Sequence, residues 1–130
     1  MAGNNTYVRI TGNVAEINFG DEWGSQNLKV KANSRSVQYV RIKVDNEEFE
    51  ASGSGEGNTI IFDRKLGTPC KKISATFEYQ TENGGKLQSK LRSGGPYDIG
   101  RYKTLIVVAE NGDDADYNDV IFEISGYSKQ

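Results

Sequence analysis

Five carboxylates fall within ten residues in ENGDDADYND, Glu110 to Asp119. Two such charges about 5 Å apart repel by about 3 kcal/mol at an effective dielectric of about 20. A chain with a net charge of only -2 has no general need to concentrate acids in this way. The modest reading is a solvated turn, because Asp and Asn bond nearby backbone amides and favour turns. The spacing favours a ligand set instead. Asp114, Asp116 and Asn118 alternate, Asp119 follows directly, and Glu110, Asn111 and Asp113 complete a group of oxygen-bearing side chains. Calcium takes roughly six to eight oxygens at about 2.3–2.6 Å, from carboxylates, amides and backbone carbonyls. The chain has no histidine and a single cysteine, Cys70, so zinc and copper lack their usual ligands. Magnesium keeps most of its waters and needs fewer carboxylates. Five acids exceed what one divalent ion neutralises, and two adjacent Ca2+ ions balance them better.

An EF-hand does not fit. DADYNDVIFEIS begins with the right alternation, but its sixth position is Asp119 rather than Gly and its twelfth is Ser125 rather than Glu. The loop also leads into a strand pattern, not a helix. A glycosidase using paired acids is a second alternative. These acids are confined to one loop, as metal ligands are, and the absence of histidine removes the commonest general base. The expectation is a binding protein, not an enzyme. Cys70 has no His or second Cys to activate it and reads as a small packing residue. The lone Trp23 could stack on a sugar ring, but beside a turn it reads better as a lid on the core.

The elements that must hold the loop are strands. Val40, Ile42 and Val44 alternate with Tyr39, Arg41 and Lys43; Ile73, Ala75, Phe77 and Tyr79 alternate with Lys72, Ser74, Thr76 and Glu78. KLQSKLRS continues the pattern through Leu87 and Leu91. TLIVVAE is apolar on both faces, as a central strand covered on each side would be, and Val120, Phe122 and Ile124 share a face after the acidic loop. Turn chemistry punctuates these runs at Thr11-Gly12-Asn13, Asp45-Asn46, Ser52 to Asn58, Asn83-Gly84-Gly85 and Ser93 to Pro96. The ENGGK turn is the clearest hairpin, and ASGSGEGN reads as a long, flexible surface loop. Roughly nine short strands predict an all-β antiparallel sandwich or barrel, one domain over residues 1–130. Near-balanced charge gives no field for nucleic acid, and no apolar run is long enough for membrane insertion. The start, MAGNNTYVRI, lacks a signal-peptide core; the sequence leaves localisation open between the cytoplasm, where the chain is made, and leaderless export to the surface or outside.

AENGDDADYNDVIFEI resembles the calcium loop of the bacterial calcium-mediated fucose/mannose-binding lectins, the fucose-binding lectin II type. A second stretch, KANSRSVQYVRIKVDNEE from Lys31 to Glu48, resembles the family segment in which an Asn and a short Ser-rich specificity loop lead into a strand. The resemblance implies a β-sandwich holding two adjacent Ca2+ ions that themselves engage a fucose- or mannose-type sugar on glycoconjugates. Carried over by position, Asp116 and Asp119 bridge both ions, Glu110 and Asp114 complete one site, and Asn33 and Asn118 ligate the other. The sugar-binding set is then Ser34, Arg35, Asn111, Asp113, Asp114, Asp116 and Asp119, with Ser34, Arg35 and Ser36 forming the specificity loop.

Asn111 stands where the family usually has Asp, Asp113 replaces a small hydroxylic residue, and Arg35 is an unusual occupant whose donors suit a sugar oxygen or an acid such as Asp113. The resemblance also implies a homodimer or higher homo-oligomer. Family members end in a glycine whose carboxylate reaches the partner's calcium, whereas this chain ends SGYSKQ. The competing expectation is a structural or adhesive β-domain in which calcium only rigidifies the loop.

Overall fold

The computed structural model describes residues 6–66, 69–111 and 119–129. Among these, nine strands form in chain order: β1 Tyr7–Thr11, β2 Val14–Asn18, β3 Gln26–Val44, β4 Glu47–Leu66, β5 Lys72–Gln80, β6 Lys86–Gln88, β7 Lys90–Ile99, β8 Tyr102–Glu110 and β9 Val120–Tyr127. Every pairing is antiparallel, and there is no helix among the described residues. The sheet order is β1-β2-β5-β3-β9-β8-β7, with β4 beside β3 and β6 beside β5. The two outer strands β1 and β7 approach one another, so the sheet nearly closes into a barrel. The all-β antiparallel expectation holds.

Strand β3 organises the layers. Its first half, Asn27 to Ala32, pairs with β9, and its second half, Gln38 to Val44, pairs with β5. One strand therefore belongs to both layers and turns between them near Ser34–Gln38, where its register with β4 shifts twice. Alternation then buries one face of each layer. Val40, Ile42, Ile73, Ala75 and Phe77 face Leu28, Val30, Leu105, Val107, Phe122 and Ile124 in one core cluster. Phe77 and Phe122 meet across the layers at 5.8 Å, edge to face.

Four local readings need correction. The strands are not all short: β3 has 19 residues and β4 has 20, long enough to serve both layers. ASGSGEGN is not a loop but the irregular middle of β4, where Gly55 at φ 145° and Gly57 at φ 81° let the strand bulge while staying beside β3. Any side chain at Gly55 would collide with the Thr59 hydroxyl. Ser93 to Pro96 is likewise a register shift inside β7, not a turn. KLQSKLRS breaks at Ser89, leaving Leu87 53 % exposed while Leu91 packs against the core.

Strand β8 is central in its pairing, between β7 and β9, but of its apolar residues only Leu105, Val107 and Ala109 are fully buried; Ile106 and Val108 lie half-buried on the outer face. The hairpins at Gly12-Asn13, Asp45-Asn46 and Thr81–Gly85 stand where turn chemistry placed them. Trp23 is a core lid, its Nε1 donating to Thr6 Oγ1 at 2.8 Å and its ring edge-on to Phe19.

Candidate functional site

The turn of β3 between layers brings Asn33 and Ser34 beside the end of β8 and the start of β9. Asp119 joins the three strands. Its backbone N–H donates to Ala109 O at 3.1 Å, its carbonyl accepts from Asn33 N at 2.8 Å, and its Oδ2 accepts from Asn111 N at 2.8 Å. A carboxylate that accepts a backbone N–H is held in one direction, which is what a ligating side chain requires. Glu110, at the last position of β8, is only 1 % exposed. Withdrawing a carboxylate from water is expensive unless polar or cationic partners replace the water.

Asn111 is buried beside it. Its Nδ2 donates to Ser34 Oγ at 3.1 Å, and its Oδ1 is buried with no hydrogen-bond partner among the described residues. Gln38 Oε1 and Ser89 Oγ are in the same condition. A buried carbonyl oxygen left this way is destabilising by about 1–3 kcal/mol, so an unpartnered acceptor marks a place where a ligand would gain. Its neighbours offer carboxylate, amide and hydroxyl oxygens, with neither thiolate nor imidazole. Such a donor set fits a hard cation of the calcium type.

Asn33, assigned to the metal by position, turns its Oδ1 toward β4, accepting from Gly57 N at 2.8 Å and Asn58 N at 3.3 Å. It would take up a cation by exchanging one of these amides. Ser34 Oγ accepts from Ser36 N at 3.2 Å as well as from Asn111. Arg35 meets Glu56: Nε to Oε1 is 2.9 Å, with the two side chains 89 % and 64 % exposed. Asp113, Asp114, Asp116 and Asn118 lie outside the described residues. Among the described residues no three acidic, His or Cys side chains are grouped to hold a metal; the structure brings Asn33, Ser34, Glu110, Asn111 and Asp119 to one end of the sandwich.

Sequence reading missed Glu56, Gly57 and Asn58. They stand in the run taken for a flexible turn, and only the long pairing of β4 with β3 carries them to the site.

At the opposite end the chain's tail is bound to the chain itself. Gly24 N donates to Tyr127 O at 2.7 Å, and Lys129 N donates to Glu22 O at 2.9 Å. The eight residues of β9 separate this end from Asp119 by about 26 Å at roughly 3.3 Å per residue.

This architecture is that of bacterial lectins. It superposes on the Chromobacterium violaceum lectin CV2L, solved in complex with alpha-methyl-fucoside, at a TM-score of 0.66 and 24 % identity, covering 89 % of this chain and 96 % of that one. The Ralstonia solanacearum high-affinity mannose-binding lectin gives a TM-score of 0.65 and 23 % identity over 89 % and 96 % of the two chains. The C-terminal domain of the BC2L-C lectin from Burkholderia cenocepacia gives 0.62 and 19 % over 92 % and 97 %. No curated protein sequence matches the chain.

The model of the fucose-binding lectin II (PA-IIL) family matches residues 17–128, and the chain belongs to that family. It is thus a member of a lectin family, whose members bind sugars rather than transform them.

Proposed function

We propose that this protein binds a fucose- or mannose-type monosaccharide on glycoconjugates through two adjacent Ca2+ ions held at the Glu110–Asp119 end of the sandwich. The observation that carries this reading is the buried, unpartnered Asn111 Oδ1 beside Glu110 and the oriented Asp119 carboxylate. Family membership and the fucoside- and mannose-binding names of the similar lectins support the choice of sugar. Glu110, Asp114, Asp116, Asn118, Asp119 and Asn33 would hold the ions. Bound calcium would supply open coordination positions suited to a vicinal diol.

The chain's own residues do the rest. Asp119 is fixed by three backbone contacts, so its carboxylate need not reorder on binding. Asn111 has an acceptor with no partner among the described residues, open to a hydroxyl proton, and Ser34, already tied to Asn111, and Arg35 line the approach. Hydrogen bonds from polarised hydroxyls to carboxylates are charge-assisted and stronger than neutral ones. A homodimer or higher homo-oligomer belongs to the same proposal, and light scattering tests it.

The test of the site is thermal. With calcium present, methyl fucoside or methyl mannoside raises Tm; after chelation the sugar changes nothing and Tm falls. Ligand at ~100 times Kd adds about 2.7 kcal/mol per site, several degrees for a chain of this size. Sugar binding that survives chelation sinks the metal-mediated mechanism. Calcium stabilisation with no sugar response would favour a structural domain.

A further inference from the structure

The bulge between β3 and β4 places an acid opposite the one cation of the specificity loop, and we propose that Glu56 is a positioning residue that sets which monosaccharide the site prefers. This rests on the sugar-site reading above. Ser34 pairs with Gly55 and Gln38 with Gly53, so β3 carries Arg35, Ser36 and Val37 across a gap in which β4 has only Ser54. Extra residues at such a bulge are left unpaired and their side chains can be re-aimed, and the Arg35 side chain is 89 % exposed. Arg35 is therefore displayed at the rim of the site, one residue from the Ser34 hydroxyl that holds Asn111.

An arginine on so exposed a bulge would ordinarily sample many rotamers. Glu56 restricts it by taking Nε at 2.9 Å. The terminal nitrogens of the guanidinium have no hydrogen-bond partner among the described residues, and a rigid fork of donors reads paired hydroxyls by their separation and orientation.

Glu56 is itself held in place from beneath. The amides of Gly57 and Asn58, next along β4, donate to Asn33 Oδ1, and the Glu56 carbonyl accepts from Thr59 Oγ1 at 3.4 Å. The segment carrying the acid is thus anchored to the residue that precedes the specificity loop. An ion pair this exposed contributes little to folding. Its effect is on the conformations Arg35 visits. Glu56 touches no sugar in this scheme; it acts through Arg35.

The test is a calorimetric panel of methyl fucoside, methyl mannoside and methyl galactoside at saturating calcium. The chains compared are wild type, Glu56→Gln, Arg35→Gln and the double variant. The expected result is a change of at least fivefold in the fucoside-to-mannoside affinity ratio for Glu56→Gln, with calcium affinity within twofold of wild type. The double variant should match Arg35→Gln alone, because Glu56 acts only through that side chain. Raising salt from about 0.05 to about 0.5 M should move the wild-type ratio toward that of Glu56→Gln, since exposed ion pairs are screened. An unchanged ratio, a uniform loss for every sugar, or additive effects in the double variant each overturn the proposal while leaving sugar binding itself intact. A wild type that binds none of the three sugars overturns the underlying site reading together with it.

Discussion

The two ends of the sandwich treat buried polar groups in opposite ways. At the end far from the acidic loop, Gln26 and Cys70 satisfy each other reciprocally: Gln26 Oε1 accepts from Cys70 N at 2.7 Å, and Gln26 Nε2 donates to Cys70 O at 3.2 Å. Thr6 Oγ1 accepts from Trp23 Nε1 and Gly20 N and donates to Glu22 Oε1. Gly126 sits so close to the Ser25 carbonyl that no side chain fits there. That end is finished. At the loop end, Asn111 Oδ1, Gln38 Oε1 and Ser89 Oγ are buried without partners among the described residues, near a buried Glu110. A closed network holds a fold together, whereas open acceptors at the loop end are consistent with the proposed site.

The strongest way to break this contrast is at Asp119. Asp119→Ala should reduce calcium affinity at least 100-fold by calorimetry and remove sugar binding with it, as should Asp116→Ala; an equal loss in Glu78→Ala would refute the site. Gln26→Ala should do the reverse. It strands the Cys70 amide in the core and should lower unfolding free energy by about 2 kcal/mol in urea titrations, leaving calcium affinity unchanged.

Burial, reinforced by Asp45, pushes the Cys70 thiol up from 9.0 to about 12. The folded chain therefore keeps this proton after the unfolded chain has lost it. Stability from this group is complete below about pH 9 and is lost as pH rises toward 12. The slope is at most about 1.4 kcal/mol per pH unit, and Cys70→Ala should flatten that part of the profile in denaturant titrations. The smallest effect should be on stability in Asn111→Ala. It removes an unpartnered oxygen together with one hydrogen bond, so unfolding should shift by less than about 1 kcal/mol while calcium-dependent sugar affinity falls.

The core face was legible in the sequence because alternation is a local signal. Val40, Ile42, Ile73, Phe77, Phe122 and Ile124 could be placed inward from their neighbours alone. Glu110, Asn111 and Asp119 stood out for a similar reason, as oxygen-bearing side chains crowded into one short stretch, and the structure brings them together at one end of the fold. The bulges were not legible. Glycine, serine and proline mark a departure from regular backbone, but a turn and a bulge use the same residues, and only distant pairing separates them. For this reason Ser52 to Asn58 and Ser93 to Pro96 read as loops yet remain in strands. Glu56 escaped notice because its significance comes from a partner across that bulge.

The bond from Asn111 to Ser34 spans 77 positions of the chain. A contact between residues this far apart carries a large loop-closure cost, and topologies rich in such contacts fold slowly. At the proposed site, recognition would depend on two segments brought together from far apart in the chain. A partly folded or clipped copy would fail on a sugar column before it failed by circular dichroism, and affinity purification would enrich the intact population without further selection.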